Sequence, residues 1–345
     1  MSNAKYLIGA NDEHGVDPPT PGKRTPVLPG LGRQIYENEF NRNAKNAFIQ
    51  GLLRNGFSVY DVKPELTDTS VAVRVARINR RQLTLLITFA YNAFGAGNSF
   101  NSASGVTVYY SDNSPKAVES RQLAEEVYEA LTGGTEQRGR GVRSITDVGV
   151  LENVNCPSAL IEAGFMTNLR EASLMLDPDF YTEVGEEAVE GVCNYLGVGY
   201  IPREIENYPL LSIGARGNFV SLLQFLLMQY GYDLEPDGIF GMLTDSAVRD
   251  FQLKNGLKED GVVGPASWRT LLCLPPFPIL KRGSRGAYVT YLQKKLESFL
   301  IPVGATDGVF GSRTENAVRS FQQQKGLTVD GVVGANTWAA LTAER

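Results

Sequence analysis

A stretch of this chain occurs twice. "GARGNFVSLLQFLL…DGIFGMLTDSAVRDFQLKNGLKEDGVVGPASWRTLL" begins at Gly214, and "GSRGAYVTYLQKKL…DGVFGSRTENAVRSFQQQKGLTVDGVVGANTWAAL" begins at Gly283. Gln224 matches Gln293 at an offset of 69, and Phe251, Asp260 and Trp268 match Phe321, Asp330 and Trp338 at 70. One residue inserted just before Asp307-Gly308 separates the registers. A duplicated unit of this length is a small domain used twice.

Each copy reads as a helical bundle. Val220, Leu223, Leu226 and Leu227 fall at helical spacing, as do Val289, Leu292 and Leu296. "DGIFG" and "DGVFG" are turns. Thr244 and Thr314 are N-cap candidates for helices carrying Ala247, Val248, Phe251 and Ala317, Val318, Phe321. Trp268 and Trp338 each open a short last helix and are expected to be packing residues.

The repeated pattern resembles the peptidoglycan-binding domain of the three-helix type. That resemblance implies binding to bacterial wall by residues 210–273 and 279–345. Two linked copies would lengthen residence on a polymer through effective concentration.

The 345 residues are 43% hydrophobic, enough for several cores. A net charge of −5 gives no general attraction to nucleic acid or anionic lipid. No apolar run is long enough to span a bilayer, so no membrane insertion is expected. "MSNAKYLIGAND" lacks the basic and apolar segments of a signal peptide. The expectation is cytoplasmic synthesis, with release by lysis or a dedicated machine, as for a phage, spore or mother-cell lysin. Cys156, Cys193 and Cys273 have neither disulfide nor metal spacing and read as reduced, buried thiols.

Between residues 4 and 196 strand-like and helix-like segments alternate. The strands are "KYLIGA", "FSVYDV", "LTLLITFAYNA", "GVTVYYS" and "CPSALIEAG". Helices are expected in "YENEFNRNAKNAFIQGLLRNG", "SVAVRVARINRR", "PKAVESRQLAEEVYEAL" and "PDFYTEVGEEAVEGVCNYL". Phe40, Ala44, Ala47, Phe48 and Leu52 form the first helix's apolar stripe. The fold class is α/β, a mostly parallel twisted sheet flanked by helices, followed by two small all-α three-helix bundles.

Function in such sheets collects beyond the carboxyl ends of the strands. His14, the only histidine, follows the first strand; Glu37 opens the first helix; Glu162 ends the last strand. A carboxylate between "PSALI" and "AGF" is headed for burial, where acids are rare unless paired or functional.

"DEHGVD", "IYENEFNR", "TFAYNA" and "CPSALIEAGFMTN" together resemble the zinc-dependent N-acetylmuramoyl-L-alanine amidases of α/β type. The resemblance implies an amidase-like domain over residues 1–200, with His14 and Glu37 as zinc ligands and Glu162 as the catalytic carboxylate. The implied reaction separates stem peptide from muramic acid by metal-assisted hydrolysis. Ala90 stands where the family has its remaining zinc histidine, and Glu13 replaces a glycine. Zn2+ is therefore expected to bind weakly or not at all, since a catalytic site takes three protein ligands. Asp12, Glu13, Asp17 or Tyr91 are the residues near enough in sequence to help. The alternative expectation is a non-catalytic wall-docking protein with an amidase-like fold.

Overall fold

The computed structural model describes residues 3–16, 23–29, 31–95, 97–135, 137–203, 208–255, 257–272, 279–285 and 287–342. The chain divides into two compact units, 1–203 and 204–345.

In the first unit the strands are β1 Leu7–Asp12, β2 Ser58–Asp61, β3 Leu85–Asn92, β4 Val106–Tyr110, β5 Gly139–Ser144 and β6 Ser158–Phe165. They form one mixed sheet in the order β2-β1-β3-β6-β4-β5. β1, β2, β3 and β6 run parallel, while β4 lies antiparallel to β6 and carries β5 parallel to itself. The central strands β3 and β6 are apolar almost throughout because both faces are covered. β5, "GRGVRS", is an exposed edge strand with no apolar alternation, which is why it is silent in the sequence.

The helices are α1 Glu37–Arg54, α2 Val71–Arg81, α3 Ala117–Gly134, α4 Gly149–Glu152, α5 Leu169–Leu174 and α6 Pro178–Leu196. The expected stripe of α1 is buried from Phe40 to Leu52, and Phe48 meets Phe89 of β3 with ring centroids 5.4 Å apart. α6 lies against α1 at Gly185, where a Cβ would come within 2.8 Å of both the Ala44 carbonyl and the Phe48 nitrogen. Ile78 of α2 packs on the other face of the sheet with Leu86, Val62 and Val154. Cys156 and Cys193 are buried free thiols pushed up to about 12 by burial; Cys273 lies outside the described residues.

The second unit holds α7 Asn218–Gln229, α8 Met242–Lys254 and α9 Pro265–Leu272, then α10 Ala287–Ser298, α11 Ser312–Gln324 and α12 Ala335–Thr342. Trp268 and Trp338 are buried, and the Trp268 indole donates to the Pro209 carbonyl at 2.9 Å. Thr244 and Thr314 are not N-caps. Gly241 and Gly311 occupy those positions, and each threonine sits buried one turn in.

What holds the threonines is a glutamine. The Gln224 amide oxygen accepts from the Gly238 N–H, and its nitrogen donates to Asp237 Oδ1, the Ile239 carbonyl and Thr244 Oγ1. Gln252 makes the same set with Gly261, Asp260, Val262 and Ser267. Gln293 and Gln322 repeat it with Gly308, Asp307, Val309, Thr314 and with Gly331, Asp330, Val332, Thr337. Each copy therefore contains the device twice: a helix glutamine stapling an Asp-Gly-apolar-apolar-Gly-x-x-Thr/Ser turn.

Candidate active site

The site lies where β1, β3 and β6 reach their carboxyl ends. Asp12 pairs with Phe89 in register, and Ala90 pairs with Glu162. Paired residues on parallel strands share a face, so positions 90 and 162 project side by side. The chain leaves β1 with His14 at φ +60, in the left-handed region. It then passes so close to the Thr67–Asp68 backbone that a Cβ on Gly15 would lie 2.1 Å from the Asp68 nitrogen.

Glu37 is placed by the start of α1. Glu39 accepts from the Tyr36 N–H at 2.9 Å, closing the first turn so that Glu37 is the first helical residue. Its Oε1 accepts from Asn41 Nδ2 and from the Tyr91 N–H, both at 3.0 Å. Its Oε2 faces His14 Nε2 at 3.4 Å. His14 Nδ1 lies 2.8 Å from Lys23 Nζ.

Glu162 has its Oε2 buried with no hydrogen-bond partner among the described residues. Burial first, then the nearby carboxylates Glu37 and Glu13, push its pKa well above the usual range. Glu37 is raised too, chiefly by burial, although its two hydrogen bonds oppose the shift. The imidazole moves the other way: burial, helped by Lys23 and Arg74, holds His14 down to about 4 against the pull of Glu13 and Asp68. Burial thus favours the neutral imidazole of His14 and the protonated form of Glu162 at this edge.

His14, Glu37 and Glu162 are brought to one edge, and Ala90 pairs with Glu162 while packing against Leu151 and Leu160. Of the residues named above as near enough to help hold a metal, Glu13, Asp12 and Tyr91 are engaged elsewhere. Glu13 is held by Arg74 of α2 through two contacts of 2.7 and 3.2 Å. Asp12 is fully buried among Lys45, Arg42 and Lys63, whose charges outweigh the desolvation that would raise its pKa and hold it well below the carboxylate range. The Tyr91 hydroxyl donates to the Glu171 carbonyl at 2.8 Å, and Asp17 lies outside the described residues. Among the described residues no group of three His, Cys, Asp or Glu side chains is placed to hold a metal ion. The residues present do not fit a three-ligand zinc site.

Lys23, Arg74 and Phe94 stand at this edge without a signal in the sequence. Lys23 lies within a Pro- and Gly-rich stretch without periodicity, and Arg74 is 61 residues from its partner. Phe94, 63% exposed, stands just past β3 at the rim. Its N–H donates to Thr167 Oγ1 at 3.0 Å, and Asn101 bonds both the Phe94 and Thr167 carbonyls. Asn168 caps α5 by accepting from the Arg170 and Glu171 amides. In "GFMTN", then, Thr167 and Asn168 build the rim.

A mixed α/β sheet with a buried carboxyl and an imidazole–carboxylate pair at its carboxyl edge defines a hydrolase-like domain, here followed by duplicated helical modules. Residues 14–194, more than half of the chain, match the N-acetylmuramoyl-L-alanine amidase family, and the protein belongs to that family. Residues 216–271 and 285–341 match a peptidoglycan binding domain. The amidase CwlM of Mycobacterium tuberculosis is 35% identical over 114 residues, covering 30% of this chain and 27% of that one. The amidase CwlL of Bacillus licheniformis is 33% identical over 161 residues, covering 38% of this chain and 45% of that one. These matches span less than half the length of either relative. An N-acetylmuramoyl-L-alanine amidase structure from Clostridium difficile aligns over 57% of this chain and 98% of its own, with 24% identity and a TM-score of 0.49. No helix among the described residues is long and apolar enough to cross a membrane.

Proposed function

We propose that this protein acts at the bacterial wall on the amide bond between N-acetylmuramic acid and L-alanine, with Glu162 as the proton-transfer group. The tandem repeats hold the insoluble polymer. The observation that carries the reading is the half-buried Glu162 carboxyl, whose Oε2 is enclosed without a hydrogen-bond partner among the described residues, at the carboxyl edge of the sheet in a chain of the amidase family. A carboxyl whose proton affinity is raised by burial can take a proton from water and give it to the departing amine.

His14 and Glu37 are the residues we assign to the family's metal-ligand positions. Two such residues do not make up the three-ligand set of a catalytic zinc site, so we assign this chain slow hydrolysis. Linked repeats make slow chemistry effective by keeping the domain on its substrate between events.

The test incubates the full chain with purified sacculi and follows both co-sedimentation and new N-terminal L-alanine. Co-sedimentation with slow release above a Glu162→Gln blank is expected. If parent and Glu162→Gln both sediment and neither releases alanine, the protein is a docking protein. If neither sediments, wall binding by the repeats is wrong.

A further inference from the structure

The contact between Lys23 and His14 decides more than charge. An ammonium group has only donors, so the nitrogen it meets at 2.8 Å must offer a lone pair. His14 Nδ1 is therefore the unprotonated nitrogen, and the ring proton sits on Nε2. That N–H points at Glu37 Oε2, 3.4 Å away. A neutral imidazole has one lone pair, and here an internal cation has taken it.

A histidine that ligates a metal through one nitrogen usually donates its other N–H to a carboxylate or carbonyl, which fixes the ligating tautomer. In His14 the N–H instead points at Glu37, the assigned co-ligand, and the lone pair points at the Lys23 ammonium. For Nε2 to ligate a metal, the proton would have to move to Nδ1, where it would confront the Lys23 ammonium. Arg74 acts in the same sense nearby by neutralising Glu13. Both positions at which this chain departs from the family pattern, Ala90 and Glu13, thus accompany a site whose charge is already balanced by side chains.

We propose that Lys23 is a positioning residue that locks His14 in the Nε2–H tautomer and so keeps this site metal-free, taking the place of the ion as the positive charge facing the imidazole. The proposal rests on the assignment of His14 as a ligand position in the reading above. Its test needs no wall, so a wrong tautomer and a failed wall digestion are separate results.

Because His14 is the only histidine in the chain, 15N-histidine labelling of the full protein reports this one ring. Two-bond proton–nitrogen spectra at neutral pH should show a single Nε2–H tautomer that zinc chloride leaves unchanged. A protonated Nδ1, or rapid averaging of tautomers, in the unmodified protein would overturn the proposal, as would one zinc ion bound per chain. Lys23→Met should release the tautomer to averaging, whereas Lys23→Arg should keep it. In an Ala90→His background, Lys23→Met should tighten zinc binding by about tenfold, the scale of an outer-shell change at a metal site. Equal zinc affinity with and without Lys23 would sink the idea, and the spectrum of the unmodified protein decides even if Lys23→Met fails to fold.

Discussion

Ala90 and Glu162 stand opposite each other on β3 and β6, paired in register with their side chains on one face of the sheet. An imidazole at position 90 would therefore project beside the Glu162 carboxyl. Ala90→His should take up about one zinc per chain when zinc is in excess, since a third ligand completes the usual set. It should also release L-alanine from sacculi faster than the parent. Adding Glu162→Gln should abolish release while the metal stays, because Glu162 is assigned to proton transfer. Loss of zinc on Glu162→Gln would instead make Glu162 a ligand.

Much of this site was legible in sequence because its parts sit next to strongly patterned elements. β3 and β6 announce themselves as apolar runs, and Glu162 is conspicuous as the charge inside one of them. Glu37 was fixed by the helix start that Glu39 closes. What stayed hidden were partners chosen by tertiary packing: Arg74 for Glu13, Lys23 for His14, and three cations for Asp12. The threonine assignment failed for a related reason. Thr244 and Thr314 have N-cap chemistry, but the glutamine staple claims their hydroxyls one turn further in.

The staple makes its own prediction. Gln252→Leu removes the acceptor of the Gly261 N–H and the donor to Asp260, the Val262 carbonyl and Ser267. Leaving such groups unpaired in a buried turn should cost about 3 kcal/mol. Gln322→Leu should cost about the same, because its bonds are equivalent. Urea unfolding followed by Trp268 and Trp338 fluorescence measures both. A cost below about 0.5 kcal/mol, the scale of ordinary surface changes, would mean that water replaces the amide.

Phe94 is exposed yet held by backbone hydrogen bonds to Thr167 and Asn101, an arrangement suited to presenting a flat apolar ring to a ligand. In the Ala90→His background, Phe94→Ala should leave stability within about 0.5 kcal/mol. Half-maximal release should then require more sacculi, with little change at saturation. A fall in the saturated rate alone would place Phe94 in the chemistry instead of in substrate capture.

Glu187 on α6 gives a prediction in pH. Its carboxyl is buried against Gly134, one oxygen lacks a hydrogen-bond partner among the described residues, and Glu183 and Glu190 lie on the same helix. Burial, then these two neighbours, push it up to about 9 from an ordinary value of 4.5. Below pH 4.5 both folded and unfolded chains carry the proton, and the group contributes nothing to the pH dependence. Between 4.5 and 9 the unfolded chain ionises while the folded chain keeps its proton. The folded state then binds more protons, and stability falls as pH rises. Glu187→Gln keeps the shape and removes the titration. It should therefore match the parent near pH 4 and exceed it by on the order of 1–3 kcal/mol at pH 7–8. Denaturant melts of the two proteins at pH 4, 6 and 8 measure the divergence; parallel curves would show that Glu187 is ionised and solvated in the folded protein.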